Sequence, residues 1–405
     1  MERGPSIVLD RLSKPDEEQR ASLLMNLHSE PASSYLQAYF ERLKKGSTMW
    51  DVDTYIEGLK QLANIVGRER TKYYDNPLKG VHFPDSFAEQ WNKAHPKQSI
   101  SVLDRDIRYQ CPPSWSNELK DFCHVLSSKG EVPLTHALNE FLKGPTTCDC
   151  GIWQQFSKWM GIRYLIGDEL FLATFKFEKG QFILTQRWEE PINKAGTVGN
   201  LLYPFYDEPI LHMKASPLGS DSRIQTKSIF NNENYLVKHP GGTTRLQNVN
   251  QIDDDYIIFG PGEPQTILSR GELEKRLREA YNSTQSFADG ERIWLYTTFP
   301  DYIHPHFTPT NWGTLAEEAK KHADHTLDEI EWENDRLDRE KQGKSCHLIF
   351  NFHRLGKCLE EARNAYLYGS LDNLDVISRA RQLRIEAILD FVNKEFPQRG
   401  SPPRA

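Results

Sequence analysis

The spacing of apolar residues divides the chain into helical segments at both ends and a more strand-rich segment in the middle. Within residues 54–66, Tyr55, Leu59, Leu62 and Ile65 recur at helical spacing, and residues 35–43 show a similar pattern. Five prolines between positions 77 and 113 then predict irregular structure. We therefore expect residues 1–109 to form an N-terminal helical region with an irregular linker.

The pattern changes between residues 110 and 300, where helical and strand-like segments are mixed. Helices are predicted at 118–127, 134–142, 152–166 and 269–281. Strands are predicted at 170–177, 181–188, 233–239, 244–252 and 256–259. The expected fold class is α+β, with one central helix before a run of antiparallel strands.

The carboxyl-terminal quarter of the chain is expected to be helical and strongly charged. Residues 316–341 contain many charged and few apolar side chains, which is typical of a solvated helix or one packed on a narrow stripe. Better apolar spacing at 359–367 and 376–391 predicts two closing helices. We assign 301–396 to a C-terminal charged helical region and expect a disordered tail at 397–405.

Composition limits the functional classes. The 405 residues carry a net charge of −7, so no global positive field favours nucleic acid or an anionic membrane. No apolar stretch approaches the ~18 residues needed to span a bilayer, and the charged amino terminus does not resemble a signal peptide. Six unevenly spaced cysteines do not form a disulfide framework. We expect a soluble cytoplasmic protein, or one delivered into a host cell by a route that needs no signal peptide.

The most informative stretch for chemistry is 144–155, where a Gly- and Thr-rich loop leads to Cys150 at the predicted start of a helix. The free amides and the positive dipole at a helix amino terminus favour a thiolate, which is the nucleophilic form. The same amides can donate to the oxyanion of a tetrahedral intermediate. Gly151 leaves room beside the sulfur for a substrate carbonyl. Cys150 is therefore the candidate nucleophile.

A nucleophilic cysteine usually needs a histidine base that is oriented by a third group. His239 is the best candidate base because it lies at the edge of a predicted strand, beside a Pro-Gly-Gly turn. Asp254, within three consecutive aspartates, is the nominal third member. One geometric difficulty is that a straight strand after this turn would carry Asp253 roughly 30 Å from the histidine. His212 is a second possible base, and possible substitutes for the aspartate are Asn231, Asn232, Asn248 and Glu263.

The order of cysteine at a helix start, histidine on a later strand and aspartate one strand on resembles the transglutaminase-like and papain-like thiol enzymes. The interval from His239 to Asp254 is similar to that in papain-like effector proteases injected by bacteria. The resemblance covers about residues 145–262, and Trp153 lies three residues after the cysteine where papain-like peptidases have a tryptophan directly after it. It implies a papain-like or transglutaminase-like core flanked by helical regions.

The activity that this resemblance implies is cysteine-dependent acyl transfer at protein amide groups: peptide cleavage, glutamine deamidation or glutamine–amine cross-linking. The substrate would be a protein, with no cofactor and no metal. Two other interpretations remain open. Cys148 and Cys150, with Cys111 and Cys123 upstream, could form a zinc site, although their spacing is poor for one. Alternatively, the protein is a non-enzymatic helical adaptor that binds a protein partner through its C-terminal helices.

Overall fold

A computed structural model describes the parts of the chain from which the fold can be derived. The described residues are 33–72, 81–82, 111–121, 123–193, 198–208, 223–242, 244–260, 263, 265–286, 289–290, 293, 315–341, 347–369 and 374–395. Three of the sequence predictions lie outside these residues: the alternative base His212, the tail 397–405 and most of the linker 76–116.

Helices and strands alternate along the described chain. The helices are α1 (Ser34–Lys45), α2 (Val52–Lys72), α3 (Leu134–Lys143), α4 (Cys150–Thr174), α5 (Tyr235–Lys238), α6 (Arg270–Asn282), α7 (Leu315–His322), α8 (Glu329–Lys341), α9 (Phe352–Leu367) and α10 (Val376–Glu395). The strands are β1 (Val81–His82), β2 (Trp115–Lys120), β3 (Cys123–Ser128), β4 (Thr146–Thr147), β5 (Ile183–Thr185), β6 (Tyr206–Asp207), β7 (Ile224–Phe230), β8 (Leu246–Ile252), β9 (Asp255–Ile258), β10 (Ile267–Ser269) and β11 (His347–Phe350).

The main sheet has six strands in the order β10-β9-β8-β7-β11-β6, and every neighbouring pair is antiparallel. Because side chains alternate across a strand, each strand presents one set of residues to each face. Thr226 and Asn250 face α4, where both contact Lys158. Val249 faces the other way, into a core formed with α6 and Trp332 of α8. The sheet therefore separates an α4 side from an α6 side.

Helix α4 is the centre of the larger core. It is buried on almost all sides, because it is enclosed by other elements, and α1, α2, α3 and α9 all contact it. Aromatic rings fill the space around it: Phe156 stacks on Phe141 at 4.1 Å, and Trp153 stacks on Phe259 at 5.1 Å between ring centroids. One apolar cluster joins residues from the predicted amino-terminal, central and carboxyl-terminal regions.

The α1–α2 connection meets α4 at a pair of glycines. Gly46 and Gly167 both have positive φ angles, of 65° and 78°, and Gly167 kinks α4. A Cβ added to Gly46 would lie 2.6 Å from the Gly167 nitrogen, and one added to Gly167 would lie 2.9 Å from the Gly46 nitrogen. The two backbones thus touch at a point where neither residue has room for a side chain.

The α+β class is confirmed, but three element predictions are wrong. Residues 118–127 form parts of the β2–β3 hairpin, because Asp121 adopts a φ of 48° and turns the chain. Most of 170–177 belongs to α4, which continues through the Gly167 kink to Thr174. Residues 233–239 contain the short helix α5, and the strand that pairs with β8 lies earlier, at Ile224–Phe230. No helix within the described residues is both long enough and apolar enough to cross a membrane.

Candidate functional site

Cys150 lies at the first position of α4, as the sequence predicts. Asp149 is the N-cap: its Oδ1 accepts a hydrogen bond of 2.8 Å from the backbone nitrogen of Ile152. A Cβ on Gly151 would lie 2.3 Å from the carbonyl oxygen of Gln186, so a glycine is needed where the chain after β5 crosses the first helical turn. Cys150 itself is partly exposed.

The nearest polar partner of the Cys150 sulfur is Asn248 on β8. Asn248 Nδ2 donates to Sγ over 3.0 Å, while its Oδ1 accepts 2.6 Å from Ser228 Oγ. The Ser228 hydroxyl therefore orients the amide so that its NH₂ group faces the sulfur. Gln154, one turn further along α4, donates to the Asn248 carbonyl oxygen over 3.0 Å. This cysteine–asparagine–serine arrangement ties the helix start to the main sheet.

The resting Cys150 side chain is a thiol at neutral pH. Burial and the neighbouring Asp149 carboxyl raise its pKa to about 12, while hydrogen bonding from Asn248 and the charge of Arg245 act in the opposite direction. Burial likewise raises the pKa of Asp149, which backbone donors and Arg245 partly offset. Cys150 and Asp149, which both have raised pKa values, thus lie near the guanidinium group of Arg245.

The structure does not bring His239 to Cys150. His239 Nδ1 lies 3.2 Å from Asp289 Oδ2, and Nε2 lies 3.0 Å from the carbonyl oxygen of Tyr281. Both ring nitrogens of His239 therefore face partners other than the Cys150 sulfur. The ring packs on Tyr235, which belongs to the core on the α6 side of the sheet, whereas Cys150 packs against the core on the α4 side.

Asp254 is also distant from both residues. It is exposed in the two-residue turn between β8 and β9, and Asn248 precedes it by six residues along the chain, five of them in β8. Its neighbours are engaged elsewhere, since Asp253 pairs with Arg223 and Asp255 with Lys60. The geometric difficulty found in the sequence therefore stands, because the seven-residue strand β8 separates the turn after His239 from Asp254.

Among the substitutes considered from the sequence, Asn248 is the residue that contacts Cys150. Asn231 instead donates to carbonyl oxygens of Thr244 and Leu277, and Glu263 pairs with Arg276. The aspartate that partners His239 is Asp289, which sequence reasoning missed. Its only sequence signal was a serine three residues earlier, Ser286, whose hydroxyl and amide both bind the Asp289 carboxylate.

The cysteines do not cluster as zinc ligands. Cys111 donates to the Trp115 carbonyl oxygen, and the Cys123 sulfur accepts from Arg187 Nε over 3.0 Å. Cys148 is fully buried, and burial raises its pKa well above the ordinary value. Across the described part of the chain, no three or more His, Cys, Asp or Glu side chains are grouped to hold a metal ion.

Comparison with known proteins gives no family for this chain. No protein-family model matches it, and neither curated proteins nor solved structures contain a significant match. Function must therefore be argued from the site itself.

Proposed function

We propose that the protein is a cysteine-dependent acyl-transfer enzyme that acts on protein amide groups, with Cys150 as its nucleophile. The observation that carries the proposal is the 3.0 Å hydrogen bond from Asn248 Nδ2 to the sulfur of Cys150, which is the first residue of a long helix. Donors that converge on a sulfur stabilise negative charge there. Asn248, and not His239 or Asp254, is the residue that contacts the sulfur.

An asparagine amide cannot accept the thiol proton, so the base must be another group. Asp149 directly precedes the cysteine, and its raised pKa makes it a better base than an ordinary aspartate. In the proposed step the Cys150 proton passes to Asp149 as Sγ bonds to the substrate carbonyl carbon. The carbon–nitrogen bond then breaks, the proton leaves with ammonia or the amine, and water or an amine resolves the thioester.

Arg245 and Asn248 both stabilise the negative charge that forms in this step. Arg245 interacts electrostatically with both Cys150 and Asp149, so the pair keeps a favourable partner whichever group carries the negative charge. The Asn248 amide is a donor for the thiolate and for the oxyanion that follows.

Three assays on the purified protein test the reaction: incorporation of a fluorescent amine into casein, ammonia release from glutamine peptides, and cleavage of casein. Cys150→Ala should abolish whichever activity is found. Cys148→Ala is the matched control, since that sulfur is sealed in the core. Activity that survives in Cys150→Ala, or none in all three assays, would exclude the proposal.

A second variant tests the base. Asp149→Asn keeps an N-cap side chain but removes the proton acceptor, so the helix should stay intact. We expect activity to fall by about 10²–10⁴-fold, as for other general bases. Unchanged activity with an unchanged pH profile would remove Asp149 from the mechanism.

One observation favours the adaptor alternative, namely an apolar face on α10. Ile385 and Leu389 are each 57% exposed and Val392 lies on the same side, at i, i+4 and i+7. A cavity of about 400 Å³ adjoins this face, lined by Ile388 and Arg381, while Arg384 in the same cavity is paired with Glu208. The combination suits a partner helix that carries apolar side chains together with carboxylates.

A synthetic amphipathic helix of leucine and glutamate is a suitable probe for this alternative, with fluorescence anisotropy as the readout. Leu389→Ser should weaken binding, whereas Ile330→Ser on α8, which is also strongly exposed, should not. Equal binding by both variants would exclude the α10 face. Cys150→Ala should leave this binding unchanged, which separates the two candidate functions.

A further inference from the structure

A groove between α1 and α2 is lined by basic, aromatic and amide side chains. One wall presents Tyr35, Tyr39 and Arg42 at i, i+4 and i+7 of α1, and the other presents Gln61, Asn64 and Arg68 at i, i+3 and i+7 of α2. The cavity measures about 310 Å³, at the small end of the range for small-molecule sites. No carboxylate lines this groove within the described residues.

Neither Arg42 nor Arg68 pairs with a carboxylate among the described residues. Most other arginines in the described chain pair with Asp or Glu, as Arg354 does with Asp207 and Arg379 with Glu361. Arg68 instead lies over the Tyr35 ring, 5.1 Å from its centroid, and forms no ion pair within the described residues. Two positive charges therefore face one cavity without a described counter-charge.

Arg42 is held in place by groups that do not neutralise its positive charge. Its Nη1 donates to the carbonyl oxygens of Gly46 at 2.5 Å and Tyr164 at 3.3 Å, and its Cζ lies 3.9 Å above the Tyr164 ring. A guanidinium fixed by carbonyls and an aromatic face keeps its charge and further N–H groups for a ligand.

The nearby carboxylates are bound by other groups. Glu41 accepts from Gln37 and Lys44, and Glu57 accepts 2.7 Å from Gln61. Asn64, by contrast, is exposed and makes no hydrogen bond within the described structure, so its amide is available at the groove.

We propose that this groove binds the oxyanion group of a small organic molecule, a phosphate or a carboxylate, between Arg42 and Arg68. Guanidinium groups match both oxyanions geometrically, and the Tyr35 ring offers a surface for an attached planar group. The site is separate from Cys150 and does not depend on the proposed enzymatic activity.

Isothermal titration of the full chain with phenyl phosphate, benzoate and inorganic phosphate tests the site and distinguishes its ligands. Saturable binding of phenyl phosphate but not benzoate identifies a phosphate site, and the reverse identifies a carboxylate site. If inorganic phosphate binds as tightly as phenyl phosphate, the Tyr35 ring does not contribute to recognition. If none of the three binds, the proposal is wrong.

Arg68→Gln is the decisive variant, because Arg68 is exposed and its replacement should not affect folding. We expect its affinity for the bound probe to fall by at least about tenfold. Arg363→Gln is the matched control: Arg363 also lies 5.1 Å from an aromatic centroid, that of Trp50, but outside the groove. Equal affinity in the Arg68 variant would overturn the proposal.

Discussion

Lys158 makes the stability of the protein depend on pH in a direction that can be measured. Its side chain is fully buried in α4, where the amine contacts Asn250 and donates 3.2 Å to Thr226 Oγ1. The Phe350 ring lies 5.9 Å from Nζ. Burial, with no carboxylate partner in the described part of the chain, lowers the pKa of Lys158 from 10.5 to about 7.

The sign follows from proton binding in the two states. Between pH 7 and pH 10.5 the unfolded chain holds the lysine proton more often than the folded chain does, so the free energy of unfolding rises with pH. Integrating this difference from pH 7 to pH 9 gives a gain of about 2 kcal/mol. Lys158→Met removes the group and should remove that gain.

Urea unfolding followed by tryptophan fluorescence at pH 7 and pH 9 measures the effect. The difference between the two pH values should be about 2 kcal/mol larger for the natural chain than for Lys158→Met. Lys321→Met is the control. This exposed lysine forms an ion pair with Glu318 that raises its pKa, so it stays charged in both the folded and the unfolded chain. If the free energy of unfolding changes equally between pH 7 and pH 9 in the natural chain and in Lys158→Met, the argument from burial is wrong.

Three further substitutions test other contacts. Gly151→Ala should destabilise the protein by about 1–3 kcal/mol in chemical unfolding, since its Cβ would collide with a backbone carbonyl; a neutral effect would contradict that packing. Arg354→Met should cost about 3–5 kcal/mol because it removes the 2.7 Å ion pair with the buried Asp207, and a loss below that range would show that Arg384, 4.0 Å away, compensates for it. Hydrogen bonds from His239 and neighbouring donors hold the Asp289 pKa below its usual range despite burial, so its stabilisation is lost as pH falls below about 4. Asp289→Asn should reduce the pH dependence of the free energy of unfolding in that range. An unchanged dependence would contradict the role given to Asp289.

The helices were easiest to predict from the sequence, because their apolar periodicity is strong. Trp153, Phe156 and Met160 identify α4, and the loop before it correctly predicts Cys150 at the helix start. The hairpin β2–β3 was missed because its turn depends on Asp121 adopting a positive φ, which the local sequence does not indicate. Strand β8 and its partner β9 were predicted, but its other partner, β7, was not.

The candidate site was harder to predict because its contacts depend on strand register. Asn248 could be named as an alternative, yet only the pairing of Ser228 with Asn248 across β7 and β8 fixes which face both side chains take. His239 was assigned to the wrong neighbourhood because the helix α5, rather than a strand, precedes it. Its partner Asp289 lies 50 residues further along the chain.

The contact between Gly46 and Gly167 has a consequence for sequence variation. Each residue occupies the space into which a side chain on the other would project, so the cost of one replacement already includes most of the rearrangement needed for the second. The double alanine variant should be less destabilised than the sum of the two single variants, because the steric clash is shared while the strain of a positive φ adds at each position. In diverging copies of this chain, the two positions should therefore be retained or exchanged as a unit.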